Sequence, residues 1–318
     1  PMRKVARFST WMVMAAQALP AALARDIHVD NLDGDNAFTG WNTQHTSDGS
    51  GPVRTIARAL DLAAAGDRIV LKNTGEPYRE SVSLVGQKHS GYSFGWFTIE
   101  GNGSILDGSA PVPPDAWEHY RGPVFRFRPP HLAHQQLFLN HRPALEVPAN
   151  RDKGTPPELQ PLEWCLHGGY IYFSIEPNTI HLPQDYALTY TYRKAGISLY
   201  QVERVVLKDL IIQGFQLDGI GLVNSARDVS IVGVTCRGNG RNGITVGGAS
   251  RALIDGCLVG NNRAAQLLTL PWSETAVQNS ELLSNTAPAW VDRGGKVYID
   301  GQRVEGGLDE PIGETPAE

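Results

Sequence analysis

Residues 196–212 read GISLYQVERVVLKDLII, residues 219–236 read GIGLVNSARDVSIVGVTC, and residues 243–259 read GITVGGASRALIDGCLV. Each begins with Gly-Ile, and successive starts lie 23 or 24 residues apart. Offsets of 24, 23 and 23 align Leu207, Ile231, Ile254 and Val277, and also Ile212, Cys236, Val259 and Leu282. Two looser columns hold Val205, Val229, Ala252 and Thr275, then Leu210, Val234, Cys257 and Ser280. Asn239, Asn262 and Asn285 fall on one another at the same offsets. Within each unit Val205 and Leu207, or Val229 and Ile231, alternate with period two, which marks strands; a helical repeat would show a 3.6 period. A repeat of this length built from strands and Gly or Asn corners predicts stacked coils about 4.8 Å apart, none of which can bury its inward side chains alone. The fold expected is all-β, a parallel β-helix.

The chain has 318 residues, enough for a large core. Its 34 glycines and 21 prolines suit a fold of many corners. Arg3, Lys4 and Arg7 precede an apolar run from Trp11 to Leu23 and a small-x-small site at Ala22-Leu23-Ala24, so 1–24 read as a signal peptide. The run is too short and interrupted for a membrane span. Without those residues 25 basic face 33 acidic side chains, a charge of −8. An acidic chain lacking a basic cluster argues against a nucleic-acid partner. Three cysteines in an exported chain leave at least one unpaired, and Cys236 and Cys257, in neighbouring columns, read as small core fillers.

Working outward, residues 56–64 carry Ile56, Leu60 and Ala63 or Ala64 on one face and end at Gly66, which predicts a short helix capping the open end of the stack. A strand at 68–71 follows. Residues 110–192 break the period: the runs VFRFR, QLFLN, YIYFS and YALTYTY alternate as antiparallel strands do, and a Pro-rich loop at 148–161 divides them. The organisation expected is therefore a cap and first coils over 25–109, an inserted small antiparallel β-domain over 110–192, coils and a C-terminal cap over 193–305, and a disordered acidic tail over 306–318. The cap is expected to be a hairpin with Trp290 and Tyr298 on its apolar side.

The succession VDNLDGDN (29–36), TIARALDLAAAGDRIVL (55–71) and GEPYRE (75–80) resembles the start of secreted right-handed β-helix proteins of the pectin lyase-like superfamily. WFTIEGNGSILDGS (96–109) is similar to an early coil of that superfamily, and QLFLNHRPAL with EWCLHGGYIYF resembles the β-domain inserted in several secreted β-helix glycoside hydrolases. The resemblance implies a right-handed coil, a secreted, periplasmic or cell-surface location, and an extracellular polysaccharide as partner. It leaves activity open, because one fold hosts many chemistries.

In glycan-active relatives of this kind the working residues occupy the turn before the Gly-Ile strand. Here that column holds Ala195, Asp218, Asn242 and Ala265, preceded by Lys194, Leu217, Arg241 and Ala264. QLDGIGLVNS is similar to the NTDGI segment of polygalacturonase-type hydrolases, and Asp218 falls on their catalytic aspartate. Where that family has Asp-Asp in the next coil, this chain has Arg241-Asn242, and its His-Gly becomes Ala265-Gln266. Inverting hydrolysis needs two carboxyls about 6.5–9.5 Å apart, and this face offers one. A lyase needs a uronate carboxylate neutralised and a base for the adjacent proton. Asp218, Arg241 (base or clamp) and Lys194 (clamp) form the candidate catalytic set, with Asn242, Gln266 and Trp272 as candidate substrate contacts. The reading is thus a polysaccharide lyase or glycoside hydrolase; the alternative is a non-catalytic glycan-binding or cell-surface protein. No metal ligand set is expected, although the loop of Asp30, Asp33, Asp35 and Asn36 has the oxygen-rich character of Ca²⁺ sites as well as of plain Asx-turns. Arg204, Asp228, Arg251 and Glu274, with Glu203 over Arg227, alternate in sign and read as a structural ladder.

Overall fold

In the computed structural model, residues 24–131, 134–150, 154–177 and 180–309 are described. All but the last residue of the expected signal peptide, and the tail from 310, lie outside them. Outside an insert, the described chain is built from strands stacked in parallel. A twelve-stranded and a six-stranded sheet wrap one apolar interior.

The column inferred from the repeat is a physical one. Leu207 pairs with Ile231, Ile231 with Ile254 and Ile254 with Val277, and all four are buried. It extends further than the periodicity shows: Ile27 pairs with Ile69, Ile69 with Ile99 and Ile99 with Leu207. The second column, Ile212–Cys236–Val259–Leu282, is paired throughout. Between these two ladders the chain turns a corner. Phe97–Asp107 and Glu203–Gln213 run through it as single strands of 11 residues, bending where Asn102 and Asp209 adopt φ of 51°. Strands Ile197–Tyr200, Ile220–Asn224, Asn242–Val246 and Ala265–Thr269 form the third side. Each coil is therefore a triangle, and like residues touch across coils.

The cysteines are free thiols buried in this stack and in the insert. Helix Ile56–Leu62 buries Ile56, Ala59 and Leu60 against the first coil. Thr55 caps it by accepting from Arg58 N at 3.1 Å, and the Glu80 carboxylate accepts from Ile56 N and Ala57 N at 2.9 Å. A helix this short is unstable alone, so these bonds and its buried face hold it.

From Ser109–Pro111 to Leu188–Thr191, which pair with each other, the chain leaves the solenoid. It makes two four-stranded antiparallel sheets around a separate core that includes Phe127, Trp164 and Phe173. The solenoid columns resume without a missing rung, because Phe97–Asp107 lies directly against Glu203–Gln213.

Three details differ from the reading of the sequence. Trp290–Asp292 joins the six-stranded sheet and Lys296–Ile299 stacks on Glu274–Gln278, so this stretch is a further coil; the hairpin is confined to Lys296–Ile299 with Gln302–Val304. Val297, not Tyr298, faces the core with Trp290. Leu308 also bonds Trp290 through both backbone groups, so the chain stays docked to that point, beyond the expected boundary at 306.

Candidate functional site

The corner preceding the Gly-Ile strands is fixed by backbone bonds between coils. Leu217 N donates to Lys194 O (2.7 Å), Arg241 N to Leu217 O (3.1 Å) and Ala264 N to Arg241 O (2.7 Å). Gly196 N donates to Asp218 O and Gly219 N to Asn242 O, both at 3.0 Å. The stacked pair of columns proposed from the sequence therefore exists. Glycine is required there by a close approach: a Cβ on Gly219 would lie 2.3 Å from Cys236 Sγ, and one on Gly243 would lie 2.4 Å from Val259 Cγ1.

At this corner Asp218 is 5% exposed. Its carboxylate accepts from Arg241 Nε (2.8 Å) and Nη2 (2.6 Å), and from Asn242 N (3.2 Å) and Nδ2 (3.0 Å). Four donors take up most of the acceptor capacity of this buried carboxylate and hold it in place, which leaves it poorly placed to attack a sugar. The hydrogen bond to Asp218 raises the Arg241 pKa above its ordinary value, against the effect of burial, so the guanidinium stays charged. The pair uses one edge of the guanidinium and leaves a side chain 44% exposed. It is suited to clamping an anion, and the option of Arg241 as base falls away.

The candidate contacts divide. Lys194 is exposed and belongs to the same column, two coils from Arg241. Asn242 is buried and its Nδ2 donates to Asp218 Oδ1 (3.0 Å) and to Thr245 Oγ1 (3.1 Å), so it positions the carboxylate from within the stack. Gln266 is fully buried; its Oε1 accepts from Asn262 Nδ2 at 2.9 Å and its Nε2 donates to Ala287 O at 3.2 Å. It takes the place that glycine holds in the coils below and fills it with an inward side chain. Trp272 is highly exposed but follows strand Ala265–Thr269, whereas Asp218 precedes the equivalent strand. Five residues of strand span roughly 16 Å, so Trp272 belongs to the opposite corner.

Three side chains at the Asp218 corner were not singled out from the sequence. The insert lays His134 over Gly240, whose Cβ would meet His134 O at 2.5 Å. Arg263 Nη1 donates to Gln135 O at 2.7 Å and its Nη2 pairs with Glu146 at 2.9 Å. Partial desolvation first, then the charges of Arg263 and Arg241, lower the His134 pKa, so its ring is neutral at neutral pH. Burial raises the Glu146 pKa despite Arg263. His134 and Glu146 meet Gly240 and Arg263 across separations of 106 and 117 residues, and no local spacing connects them; their only sequence signal is the interruption of the period.

The Asp-rich loop behaves as a turn. Asp30 accepts from Leu32 N and Asp33 N at 3.0 Å and pairs with the Lys72 ammonium, which stands where a cation would. Asn36 Oδ1 accepts from Arg54 N and Thr55 N. Among the described residues no cluster of three or more His, Cys, Asp or Glu side chains is arranged to hold a metal. No helix among them is long and apolar enough to cross a membrane. The charge ladder is real: Glu203 pairs in register with Arg227 and Arg251 with Glu274, and Arg251 reaches Asp228 at 3.6 Å.

The family profile described as "Right handed beta helix region" matches residues 172–312. No curated protein matches the chain. Among solved structures, one described as a glycoside hydrolase is similar with a TM-score of 0.59 at 11% identity, over 81% of this chain and 73% of the other. The complex of XylC with xylose is similar with a TM-score of 0.53 at 13% identity, over 86% of this chain. The chain spans 63% of the XylC structure. At such identities the likeness is one of fold, and the fold is a right-handed parallel β-helix.

Proposed function

We propose that this is an exported carbohydrate-active β-helix protein that holds a uronate-bearing extracellular polysaccharide at the corner built by Asp218 and Arg241. The observation that carries the reading is the guanidinium fixed by a buried carboxylate, charged and still accessible. A pre-oriented cation of this kind binds a carboxylate without first losing side-chain freedom. One similar structure holds xylose and another is a glycoside hydrolase, which supports a sugar ligand.

Elimination suits the corner better than hydrolysis, because hydrolysis with inversion needs two carboxyls and the corner's one buried carboxylate is held by four donors. Arg241, extended by Lys194, neutralises the uronate carboxylate and acidifies the carbon next to it. Neutral His134 takes that proton, the carbon–oxygen bond to the leaving sugar breaks, a double bond forms, and the leaving oxygen takes a proton from solvent. The second reading, glycan binding without cleavage, is favoured by the same engagement of Asp218 by four donors.

Incubation with uronic and neutral polysaccharides, followed by the ultraviolet absorbance of unsaturated products and by affinity electrophoresis, tests both. Elimination requires product from the wild type, and its loss in Arg241→Ala and His134→Ala. Retarded migration on uronic glycans without product leaves the binding reading. Equal retardation of wild type and Arg241→Ala overturns the placement.

A further inference from the structure

Each coil turns from the six-stranded sheet into the twelve-stranded one through a residue of left-handed backbone, two positions before the registered strand start. Gln201, Ser225 and Ala249 fill it with φ of 52°, 50° and 61°, and the next coils place Trp272 there at 68° and Gly294 at 122°. Small, polar or glycine residues suit such a corner; a bulky aromatic in it is strained. Strain is ordinarily repaid by burial, yet Trp272 is 87% exposed. Nothing in the stack needs an indole at this position.

Around it the surface is concave. Arg227, Arg251, Glu274 and Lys296 line a hollow with Trp272, and an adjoining hollow that shares Arg251 and Glu274 is bounded by Trp96 and Tyr298. Together they make a trough that crosses successive coils, so it follows the solenoid axis. The charges along it alternate, with Arg227, Arg251 and Lys296 set against Asp228 and Glu274. A strongly charged ligand finds no consistent field there, while hydroxyl groups can donate to the carboxylates and accept from the guanidiniums. A protein interface would centre on a desolvated apolar cluster, whereas this aromatic stands among ionised side chains.

We infer that this trough is a second glycan site, distinct from the Asp218 corner, in which Trp272 stacks on the face of a neutral sugar and Arg251 with Glu274 binds its hydroxyls. It rests on the reading that the ligand is a polysaccharide, and adds that one chain contacts two corners or that neutral and uronic segments are held separately.

The test uses the indole N–H signals of ¹⁵N-labelled protein, with Trp272 assigned through Trp272→Phe. Neutral β-linked hexasaccharides of glucose or xylose, titrated to millimolar concentration, shift the Trp272 signal in the wild type and equally in Arg241→Ala. Trp272→Ala weakens that binding by roughly tenfold, equivalent to about 1.4 kcal/mol. Oligogalacturonate binding, read separately, depends on Arg241 and not on Trp272. A Trp272 signal unmoved by every neutral hexasaccharide, or unchanged affinity in Trp272→Ala, overturns the trough and leaves the Arg241 site standing. Uronate binding that survives Arg241→Ala overturns the other reading and leaves the trough.

Discussion

Arg241 and Asp218, 23 residues apart in sequence, meet through two hydrogen bonds of 2.6 and 2.8 Å between neighbouring coils. The two partners are unequally placed, since the carboxylate is buried and the guanidinium half-exposed. Arg241→Ala strands a buried charge that Asn242 alone continues to satisfy, and water can enter from the open side. The expected cost is about 2–3 kcal/mol, below the roughly 3–5 kcal/mol of a fully buried pair. Asp218→Asn keeps one acceptor oxygen for Asn242 and Arg241 Nε, sets an amide NH2 against Arg241 Nη2, and lets the half-exposed guanidinium turn to solvent, at a cost of about 1 kcal/mol. Urea midpoints measure the difference; a larger loss in Asp218→Asn would contradict the asymmetry.

Close packing at the same corner gives a second expectation. Alanine at Gly219 sets a methyl 2.3 Å from Cys236 Sγ and 2.7 Å from Asn239 Nδ2. Overpacking of this kind costs about 1–3 kcal/mol. Shortening the obstacle in Cys236→Ala should recover part of it, a coupling of about 1 kcal/mol in a double-mutant cycle. Additive losses in the cycle would show that the backbone, and not the thiol, is the obstacle.

The stack was legible because a parallel β-helix converts sequence spacing into contact. Leu207, Ile231 and Ile254 are neighbours for the reason that they are 24 and 23 residues apart. The same rule put Arg241 over Leu217 and beside Asp218. It failed where side chains rather than backbone decide. Asn242 and Gln266 sit at the expected corner, but the stack turns both amides inward. Trp272 reads as a contact of the Asp218 corner although a strand separates them, because a repeat gives the rung and not the side of the triangle. His134 and Glu146 lie in the insert, whose docking onto Gly240 and Arg263 leaves no period to read.

The asparagine column shows the limit in one position. Asn239 and Asn262 are fully buried and bonded, with Asn262 Oδ1 accepting from Asn239 N at 2.9 Å and Nδ2 at 3.0 Å. Asn285 slips by one residue and exchanges bonds of 3.0 Å with Asn261 at the surface. Asn239→Ala removes the acceptor for Phe215 N and leaves buried groups without partners, a loss of about 2–3 kcal/mol. Asn285→Ala should stay within about 0.5 kcal/mol. Equal losses in thermal unfolding would restore the three-rung ladder that the spacing suggests.

Glu146 joins the insert to the solenoid through Arg263, and burial raises its pKa above the ordinary 4.5. A carboxyl with a raised folded-state pKa contributes stability that is fully present below the unfolded value and is lost as pH rises through the folded one. Ionisation of Glu146 therefore weakens the docked state even with Arg263 beside it. His134, with its pKa lowered, acts in the opposite direction: its protonation destabilises the fold as pH falls, so the raw pH profile of the wild type mixes both. Comparison with Glu146→Gln isolates the carboxyl, because His134 is common to the two proteins. The melting temperature of Glu146→Gln minus that of the wild type should grow as pH is raised from about 4 to about 8. A difference that stays flat, or that shrinks toward high pH, would mean that Arg263 outweighs burial and that the ionised pair fastens the insert.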